Sequence, residues 1–276
     1  MLFYIYLIIS VAAGVGSWLI SDKLWLLPVA FVGCFLGLII LFAMMMLIMA
    51  LCVDMKKIQE KDNGFYRWMI HRLLDLAMPI LRLRLHIQGA EKVPETGRCL
   101  VVCNHLHELD PVFLLKAFPK MKLAFISKRE VDRMFMVGQF LHKIMGQSIN
   151  RENDREALKT ILNCVRLIKE DMNSVAVFPE GYIKEDHQLH RFRSGVFKVA
   201  QRTKVPIVVC TLRDTHKIVH NALRLKKSDI QLHIVGVIGP EQWEGVTAVN
   251  IANKAYEMMA ADLGPELVWQ ENEPNL

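Results

Sequence analysis

The chain has 276 residues, a hydrophobic fraction of 53% and a formal net charge of +6. This length allows one medium domain with additional elements, or at most two small domains. The positive charge favours an anionic lipid surface or a phosphorylated substrate as partner, and without a basic run or an aromatic platform nothing indicates nucleic acid. The six cysteines include no Cys-x-x-Cys pair, so we expect buried thiols in a reducing compartment rather than a disulfide or zinc framework.

Two uncharged apolar runs open the chain, at about residues 2–20 and 24–53. A helix needs about 20 apolar residues to cross a bilayer, so each run is long enough to span. We predict a transmembrane helical hairpin over residues 1–55, followed by the main domain over residues 56–276. A cleaved signal peptide is the alternative for the first run, but that run lacks a basic leading segment and is longer than the usual apolar core of such a peptide.

The residues that flank the two apolar runs indicate the orientation of the chain in the membrane. Trp18 and Trp25 stand at the link between the runs, where interfacial aromatic residues are expected. Five bases follow the second run: Lys56, Lys57, Lys61, Arg67 and Arg72. Because basic residues favour the cytoplasmic side, we expect an integral membrane protein whose main domain is cytoplasmic.

The elements predicted after the hairpin alternate between helix and strand. A first helix over 65–81 carries an apolar stripe at helical spacing, formed by Trp68, Ile70, Leu73, Leu74 and Met78. This helix is expected to pack on the main domain, to lie in the lipid interface, or both. Strands are predicted at 81–89, 99–103, 122–127, 174–178, 206–210 and 230–238. Further helices are predicted at 110–118, 130–146, 155–172, around 195–203 and near 247–263. This order predicts an α/β domain with a mostly parallel sheet flanked by helices.

The helix predicted over 155–172 has an apolar stripe of its own. Its members lie on one face of the helix: Leu158, Ile161, Leu162, Val165 and Ile168.

A polar loop follows the strand predicted at 99–103. Asn104 and His105 fall at the C-terminal end of that strand, where open α/β sheets bind their ligands. Asp110 stands at the start of the next predicted helix, where a carboxylate suits the helix dipole and can cap the helix. The loop can also fold Asp110 back onto the imidazole of His105. A histidine held in this way by a carboxylate is a general base.

Other interpretations of this loop remain open at this point. The spacing between His105 and Asp110 is weak support by itself, and Asp110 can be a helix cap alone. His105 and His107 also suggest a metal site. A metallo-β-lactamase-type hydrolase would carry His-x-His-x-Asp-His, however, and here Leu109 occupies the Asp position with no histidine after Asp110.

Five motifs, taken together and in order, resemble the glycerolipid acyltransferase family, that is, the 1-acylglycerol-3-phosphate O-acyltransferases and related lysophospholipid acyltransferases. They are NHLHELD at 104–110, GQSINR at 146–151, VFPEG at 177–181, FRSGVFKVA at 192–200 and VPIVVC at 205–210. The resemblance spans about residues 65–240. It implies a glycerolipid acyltransferase-like α/β fold and transfer of a fatty acyl group from a thioester to a lysophospholipid hydroxyl, foremost the sn-2 hydroxyl of 1-acylglycerol 3-phosphate.

The resemblance also implies roles for particular residues. His105 is the expected general base and Asp110 orients it. Substrate binding is expected from Asn104, Arg151, Glu180, Gly181 and Arg193. Within this set, Asn104 either positions the loop or binds the oxyanion, and Arg151 grips the phosphate. Neither a metal nor a redox cofactor is implied. The partners are a lysophospholipid, membrane lipids and an acyl donor, either acyl-CoA or acyl carrier protein.

Some positions depart from the family pattern. Asn150 stands where Asp is usual, and Tyr182 and Ile183 replace a Thr-Arg pair. The missing arginine leaves the acceptor headgroup in question, with Lys184 or Arg193 as substitutes. Two other functions therefore remain open: a membrane-bound, metal-dependent hydrolase, and an inactive protein that binds lysolipid.

Overall fold

The computed structural model describes residues 1–242 and 245–270. In this part of the chain the α-helices are α1 (Leu2–Ser21), α2 (Leu26–Leu51), α3 (Gly64–Ile80), α4 (Asp110–Ala117), α5 (Val137–Lys143), α6 (Asp154–Lys169), α7 (Lys198–Thr203), α8 (Ile218–Leu223) and α9 (Ala248–Leu263). The strands are β1 (Leu83–Gln88), β2 (Leu100–Cys103), β3 (Leu123–Lys128), β4 (Gln147–Ile149), β5 (Ser174–Val177), β6 (Ile207–Arg213) and β7 (Ser228–Ile238).

Helices α1 and α2 pack against each other as a hairpin. Gly14 allows a close approach, because a Cβ there would lie 2.8 Å from the carbonyl oxygen of Leu27. Both helices are long and apolar enough to cross a membrane, and most of their surface is exposed rather than packed in the fold. The two predicted helices are therefore present; that they cross a bilayer stays a prediction.

The hairpin meets the main domain at α3. Phe42, Met46 and Ala50 of α2 pack against the buried Met69 and Leu76 of α3.

The seven strands form one sheet in the order β1-β7-β6-β2-β5-β3-β4. All neighbouring pairs are parallel except β6 and β7. The central strands β2, β5 and β6 are short, apolar and almost fully buried, as expected of a parallel sheet covered on both faces. The predicted α/β fold with a mostly parallel sheet is confirmed.

Alternating side chains of the strands form two cores, one on each face of the sheet. Leu100 and Val102 of β2 pack with α6, α7 and α9 on one face. Val101 and Cys103 pack with α3, α4 and α8 on the other face. The hairpin attaches to α3, and so to the second of these layers.

The reversal at β7 decides which elements share an edge of the sheet. Because β7 runs antiparallel to β6, and β1 runs parallel to β7, both β1 and β7 begin at the edge where β2, β5 and β6 end. The C-terminal end of α3 and the segment around α8 therefore lie at the edge that also carries the polar loop after β2.

The single helix predicted over 130–146 is wrong. A short 3₁₀ helix at Arg129–Arg133 is followed by α5, which begins only at Val137. Met136 between them has a φ of +70°, which no helix accommodates. Gly138 packs directly against the backbone carbonyl of Asp132, so the chain turns there. Two short elements, β4 and α8, were absent from the prediction.

Some members of the two apolar stripes do not reach the core. Trp68 and Leu73 of α3 are 49% and 38% exposed, and Leu158 and Leu162 of α6 are 44% and 45% exposed. Arg67, one of the five bases that follow the second apolar run, is buried. Its guanidinium pairs with Asp62 and donates to the carbonyl oxygens of Leu123 (3.0 Å) and Ile144 (3.4 Å). Hydrogen bonding to these carbonyls makes Arg67 part of the interior.

Candidate active site

Asn104 extends the contact between β2 and β6. Its Nδ2 donates to the carbonyl oxygen of Leu212 at 2.9 Å, and its Oδ1 accepts from the Leu212 amide at 2.7 Å. The side chain is 1% exposed and both ends of its amide are used. Asn104 therefore fixes the start of the loop to the neighbouring strand. Of the two roles left open, these contacts support loop positioning, and the part of Asn104 in substrate binding stays a prediction.

The loop between His105 and Asp110 brings their side chains together. His105 Nδ1 lies 2.9 Å from Asp110 Oδ2. The same oxygen accepts from the backbone amides of Leu106 at 2.6 Å and His107 at 2.8 Å. Asp110 is fully buried and begins α4, but it does not cap the helix: Leu109 is the N-cap residue. The carboxylate instead closes the loop onto the imidazole.

The outer edge of the imidazole is open. The His105 ring stacks on Phe178 with centroids 4.2 Å apart and an interplanar angle of 17°, and its side chain is 17% exposed. Among the described residues Nε2 has no hydrogen-bond partner. In the neutral tautomer whose Nδ1 donates to the carboxylate, the lone pair of Nε2 faces away from Asp110 and can accept a proton. The arrangement can take a proton from a hydroxyl at the sheet edge.

Glu180 joins the loop that contains His105 to the loop that contains His190. Its Oε1 accepts from the His105 amide at 2.9 Å, and its Oε2 accepts from the His190 amide at 2.9 Å. Burial raises the pKa of this carboxyl to about 7, against the lowering effect of these two bonds and with a smaller raising effect from Asp110. Glu180 is 2% exposed and both of its oxygens accept backbone hydrogen bonds, so it positions the His105 loop. Its predicted contact with substrate stays a prediction.

Gly181 follows Glu180 directly and lies against two arginines. Its φ of +87° is in the region that favours glycine. A Cβ at this position would lie 3.2 Å from Arg193 Nε and 3.5 Å from Arg151 Cζ. The structure thus brings Arg151 and Arg193, 42 positions apart in the sequence, against the same glycine. Gly181 gives room for both guanidinium groups.

Arg151 and Arg193 together form a cationic site. No ion pair or side-chain hydrogen bond of either arginine is found in the described part of the chain, although Glu130 lies near enough to act on Arg151. Burial lowers the pKa of Arg151, the neighbouring Arg193 lowers it further, and Glu130 opposes this. Two like charges in contact are repulsive unless an anion lies between them. This pair is therefore suited to a phosphate.

The comparisons with known proteins identify the family. The family model described as "Acyltransferase" matches residues 84–213. A protein of Mycoplasma pneumoniae named "Probable 1-acyl-sn-glycerol-3-phosphate acyltransferase" is 30% identical over 199 residues, which cover 68% of this chain and 74% of that protein. The chain belongs to the acyltransferase family.

Two further relatives agree with this acyltransferase assignment. The 1-acyl-sn-glycerol-3-phosphate acyltransferase of Cocos nucifera is 26% identical over 230 residues, covering 82% of this chain and 73% of that protein. The crystal structure of the 1-acyl-sn-glycerophosphate (LPA) acyltransferase PlsC from Thermotoga maritima superposes with a TM-score of 0.54, covering 75% of this chain and 79% of that chain. At 18% identity, this second likeness establishes a shared fold.

The other bases near the site of this acyltransferase are placed differently from the arginine pair. Arg129 is exposed and pairs with Glu156 at 3.3 Å. The Lys184 ammonium lies 4.8 Å from the ring centroid of Tyr182. Asn150, where the family pattern has Asp, donates from Nδ2 to Glu156 at 2.9 Å. These contacts tie the strand end before Arg151 to α6 and leave Arg193 as the base that accompanies Arg151.

Several site residues of this acyltransferase were not found by sequence reasoning. Phe178 lies inside the VFPEG motif, but nothing local shows that its ring stacks on His105. The contact of Asn104 with the backbone of Leu212 could be identified only from the pairing of β6 with β2.

No cluster of three or more His, Cys, Asp or Glu side chains over residues 1–242 and 245–270 is arranged to hold a metal. His107 Nδ1 accepts from the Leu109 amide at 3.2 Å.

Proposed function

We propose that this acyltransferase transfers a fatty acyl group from a thioester to the sn-2 hydroxyl of 1-acyl-sn-glycerol 3-phosphate, giving phosphatidic acid. The names of its relatives support this substrate. One structural observation carries the proposal: Glu180 holds the His105 loop, and the next residue, Gly181, abuts the arginine pair. A base and a phosphate-binding site are thus fixed to each other through two consecutive residues.

The reaction follows from the open Nε2 of His105. The acceptor hydroxyl gives its proton to Nε2 while its oxygen attacks the thioester carbonyl, forming a tetrahedral intermediate. The intermediate collapses, the carbon–sulfur bond breaks, and the proton on Nε2 passes to the departing thiolate. Asp110 holds the ring in position and stabilises the imidazolium that exists between these two proton transfers. The products are 1,2-diacylglycerol 3-phosphate, that is, phosphatidic acid, and a free thiol.

The arginine pair supplies orientation in this proposal. A phosphate between Arg151 and Arg193 relieves their mutual repulsion and can accept hydrogen bonds from both guanidinium groups. With the phosphate fixed there and the base fixed beside Gly181, the hydroxyl is held near Nε2. Attack then becomes effectively intramolecular, which is the main advantage that a two-substrate enzyme obtains from binding.

The remaining partners follow from the hairpin and the chemistry. The donor is a substrate, either acyl-CoA or acyl carrier protein, and the steps above use neither a metal nor a redox cofactor. We place α1 and α2 in the membrane and the main domain on its cytoplasmic side. The exposed Lys56, Lys57 and Lys61 support this side, whereas the buried Arg67 no longer contributes to the bias.

The test uses the full chain in nanodiscs with acyl-CoA and 1-acylglycerol 3-phosphate. Release of free thiol and formation of phosphatidic acid are followed together. His105→Ala is expected to reduce turnover by about 10²–10⁴-fold, as for loss of a general base. His86→Ala is the matched control, because His86 also pairs with an aspartate, Asp229 at 3.0 Å, but is exposed on β1.

Three results would contradict the proposal. Turnover that stops on chelation and uses water as acceptor would indicate the metal-dependent hydrolase. Binding of lysolipid without turnover, with acyl-CoA and acyl carrier protein donors alike, would indicate an inactive binding protein. Full activity of His105→Ala would remove the proposed base.

A further inference from the structure

Helix α8 carries apolar side chains that the fold does not use. Its inward residue, Ile218, is 2% exposed and belongs to the core under the sheet. Val219 is 53% exposed, Leu223 is 82% exposed, and Leu225, just after the helix, is 76% exposed. The helix is therefore already anchored, and its outward apolar groups have no packing role within the chain.

Leu225 is held outward by a well-bonded turn. Its φ of +53° is unusual for a leucine. Arg82 donates from Nη1 to its carbonyl oxygen at 2.6 Å, and the Lys226 amide donates to the carbonyl oxygen of Asn221 at 2.8 Å. A turn fixed in this way keeps an apolar side chain in solvent rather than letting it fold back. Such an arrangement suits a partner that takes up the side chain.

The apolar groups are surrounded by bases. The exposed bases of the segment and of the link before β1 are Arg82, Lys217, Arg224, Lys226 and Lys227. One acidic residue, Asp214, lies among them and pairs with Lys217 at 2.5 Å. The balance is strongly positive. A positive, apolar surface complements anionic lipid headgroups above an acyl-chain interior.

The surface continues towards the hairpin. Ile80 and Leu81, at the end of α3, are 46% and 39% exposed and directly precede Arg82. Further along α3, exposed Phe65 and Trp68 stack with ring centroids 5.8 Å apart. They flank the buried residues of α3 that contact α2. The exposed aromatic and apolar side chains therefore run from the base of the hairpin along α3 to α8.

We propose that this surface, formed by Ile80, Leu81, Val219, Leu223, Leu225 and the bases around them, docks on an anionic lipid leaflet as a second membrane contact besides the hairpin. The inference rests on the membrane placement given under the proposed function. It adds that the main domain lies against the headgroups. Because α8 and the end of α3 stand at the edge where β2, β5 and β6 end, docking brings the His105 loop to the lipid surface. A single-chain lipid then reaches the site without leaving the leaflet.

The test measures lipid contact by a fluorescent label on introduced cysteines. Cys34 and Cys52 are replaced by alanine; the other four cysteines are buried, and burial raises the pKa of the Cys99 thiol to about 11, so they resist labelling. Val219→Cys reports on the surface. Val249→Cys is the matched control, since Val249 is also 53% exposed but lies on α9, across the sheet.

A third label and a charge reversal complete the design. Leu41→Cys, at a 64% exposed hairpin position, reports on the hairpin. The full chain is placed in nanodiscs of neutral lipid with or without anionic lipid, each carrying a lipid-attached quencher. We expect a blue shift and quenching at position 219 but not at 249, stronger with anionic lipid. Lys226→Glu with Lys227→Glu is expected to abolish the anionic enhancement.

Each result that would contradict the docking surface has its own interpretation. If positions 219 and 249 are equally unquenched while position 41 is quenched, the docking surface is refuted and the hairpin stands. If position 41 is unquenched as well, both the docking surface and the membrane placement fail, whereas thiol release still tests the acyl transfer. Protection of position 219 by added acyl carrier protein in lipid-free detergent, without quenching in nanodiscs, would assign the surface to a protein partner and overturn the lipid assignment.

Discussion

Replacing Asp110 by asparagine separates the charge of the carboxylate from its hydrogen bonds. Oδ2 accepts all three bonds, from His105 Nδ1 and from the amides of Leu106 and His107. Oδ1 is buried and accepts none from the described residues. An asparagine whose amide oxygen takes the position of Oδ2 keeps the three bonds, and its NH₂ group takes the position of Oδ1. The loop geometry is retained and the negative charge is lost.

The size of the effect follows from the lost attraction between carboxylate and imidazolium. Unit charges about 4 Å apart attract by about 4 kcal/mol at an effective dielectric constant of about 20. Since each 1.36 kcal/mol changes a rate about tenfold, kcat is expected to fall about a thousandfold. The buried NH₂ group without an acceptor is expected to destabilise the fold by about 1–3 kcal/mol. KM for the acceptor is expected to stay near the wild-type value, because the arginine pair is unchanged.

The assay is steady-state thiol release in nanodiscs, with thermal unfolding of the same samples. Asp229→Asn is the control, because it removes the charge from an exposed His–Asp pair of similar length, 3.0 Å. That variant is expected to keep wild-type kcat. A folded Asp110→Asn variant with kcat within tenfold of wild type would refute the role of the charge. A raised KM with unchanged kcat would assign Asp110 to substrate binding.

Three further changes test positions around the site. Glu180→Gln is expected to remove a pH effect on thermal unfolding: its folded-state pKa of about 7 exceeds the ordinary 4.5, so wild type loses stability relative to the variant as pH rises from about 4.5 to about 7. Gly181→Ala is expected to cost about 1–3 kcal/mol and to raise KM for the acceptor, measured by steady-state kinetics, because its Cβ would press on Arg193. Arg67→Ala leaves the carboxylate of Asp62 unpaired and is expected to cost about 3–5 kcal/mol in denaturant unfolding.

Each of these variants has a contrary result. Parallel stability profiles for Glu180→Gln and wild type across that pH range would assign the titration to another group. Gly195→Ala is the control for Gly181, because nothing lies within 4 Å of a Cβ there; equal KM changes would exclude a specific effect on the arginines. Arg166→Ala breaks an exposed pair with Glu170, and an equal loss of stability would show that burial of Arg67 has no special weight.

Local sequence pattern predicted most of the fold because the main elements bury one face each. The apolar run at 99–103 and the alternation at 230–238 give strands whether or not their partners are known. The direction in which each strand runs in the sheet could not be predicted from local pattern in the same way. The antiparallel pairing of β7 with β6 depends on the short helical connection through α8, which the pattern did not reveal. The three-residue strand β4 is too short to carry a period.

The site was predictable as a set of residues but not as a set of contacts. The dyad is local, so the loop between His105 and Asp110 already indicated it. Asn104 and Glu180 make their contacts at separations of 108 and 75 residues, with Leu212 and His105 respectively. Their motif positions indicated that both belong to the site, but the contacts by which they hold the loop join residues far apart in the sequence. The burial of Arg67 was not predicted for the same reason, because it depends on contacts with the distant Leu123 and Ile144.

The pairing of β1 has a consequence for synthesis of the chain. Leu83 pairs with Ser228, and β1 has no other neighbour in the sheet. At about 5–20 residues per second, the ribosome needs roughly 7–30 s to extend the chain from one to the other. Throughout that interval β1 has been synthesised but its partner strand has not. Slower elongation lengthens the time for which β1 stays unpaired.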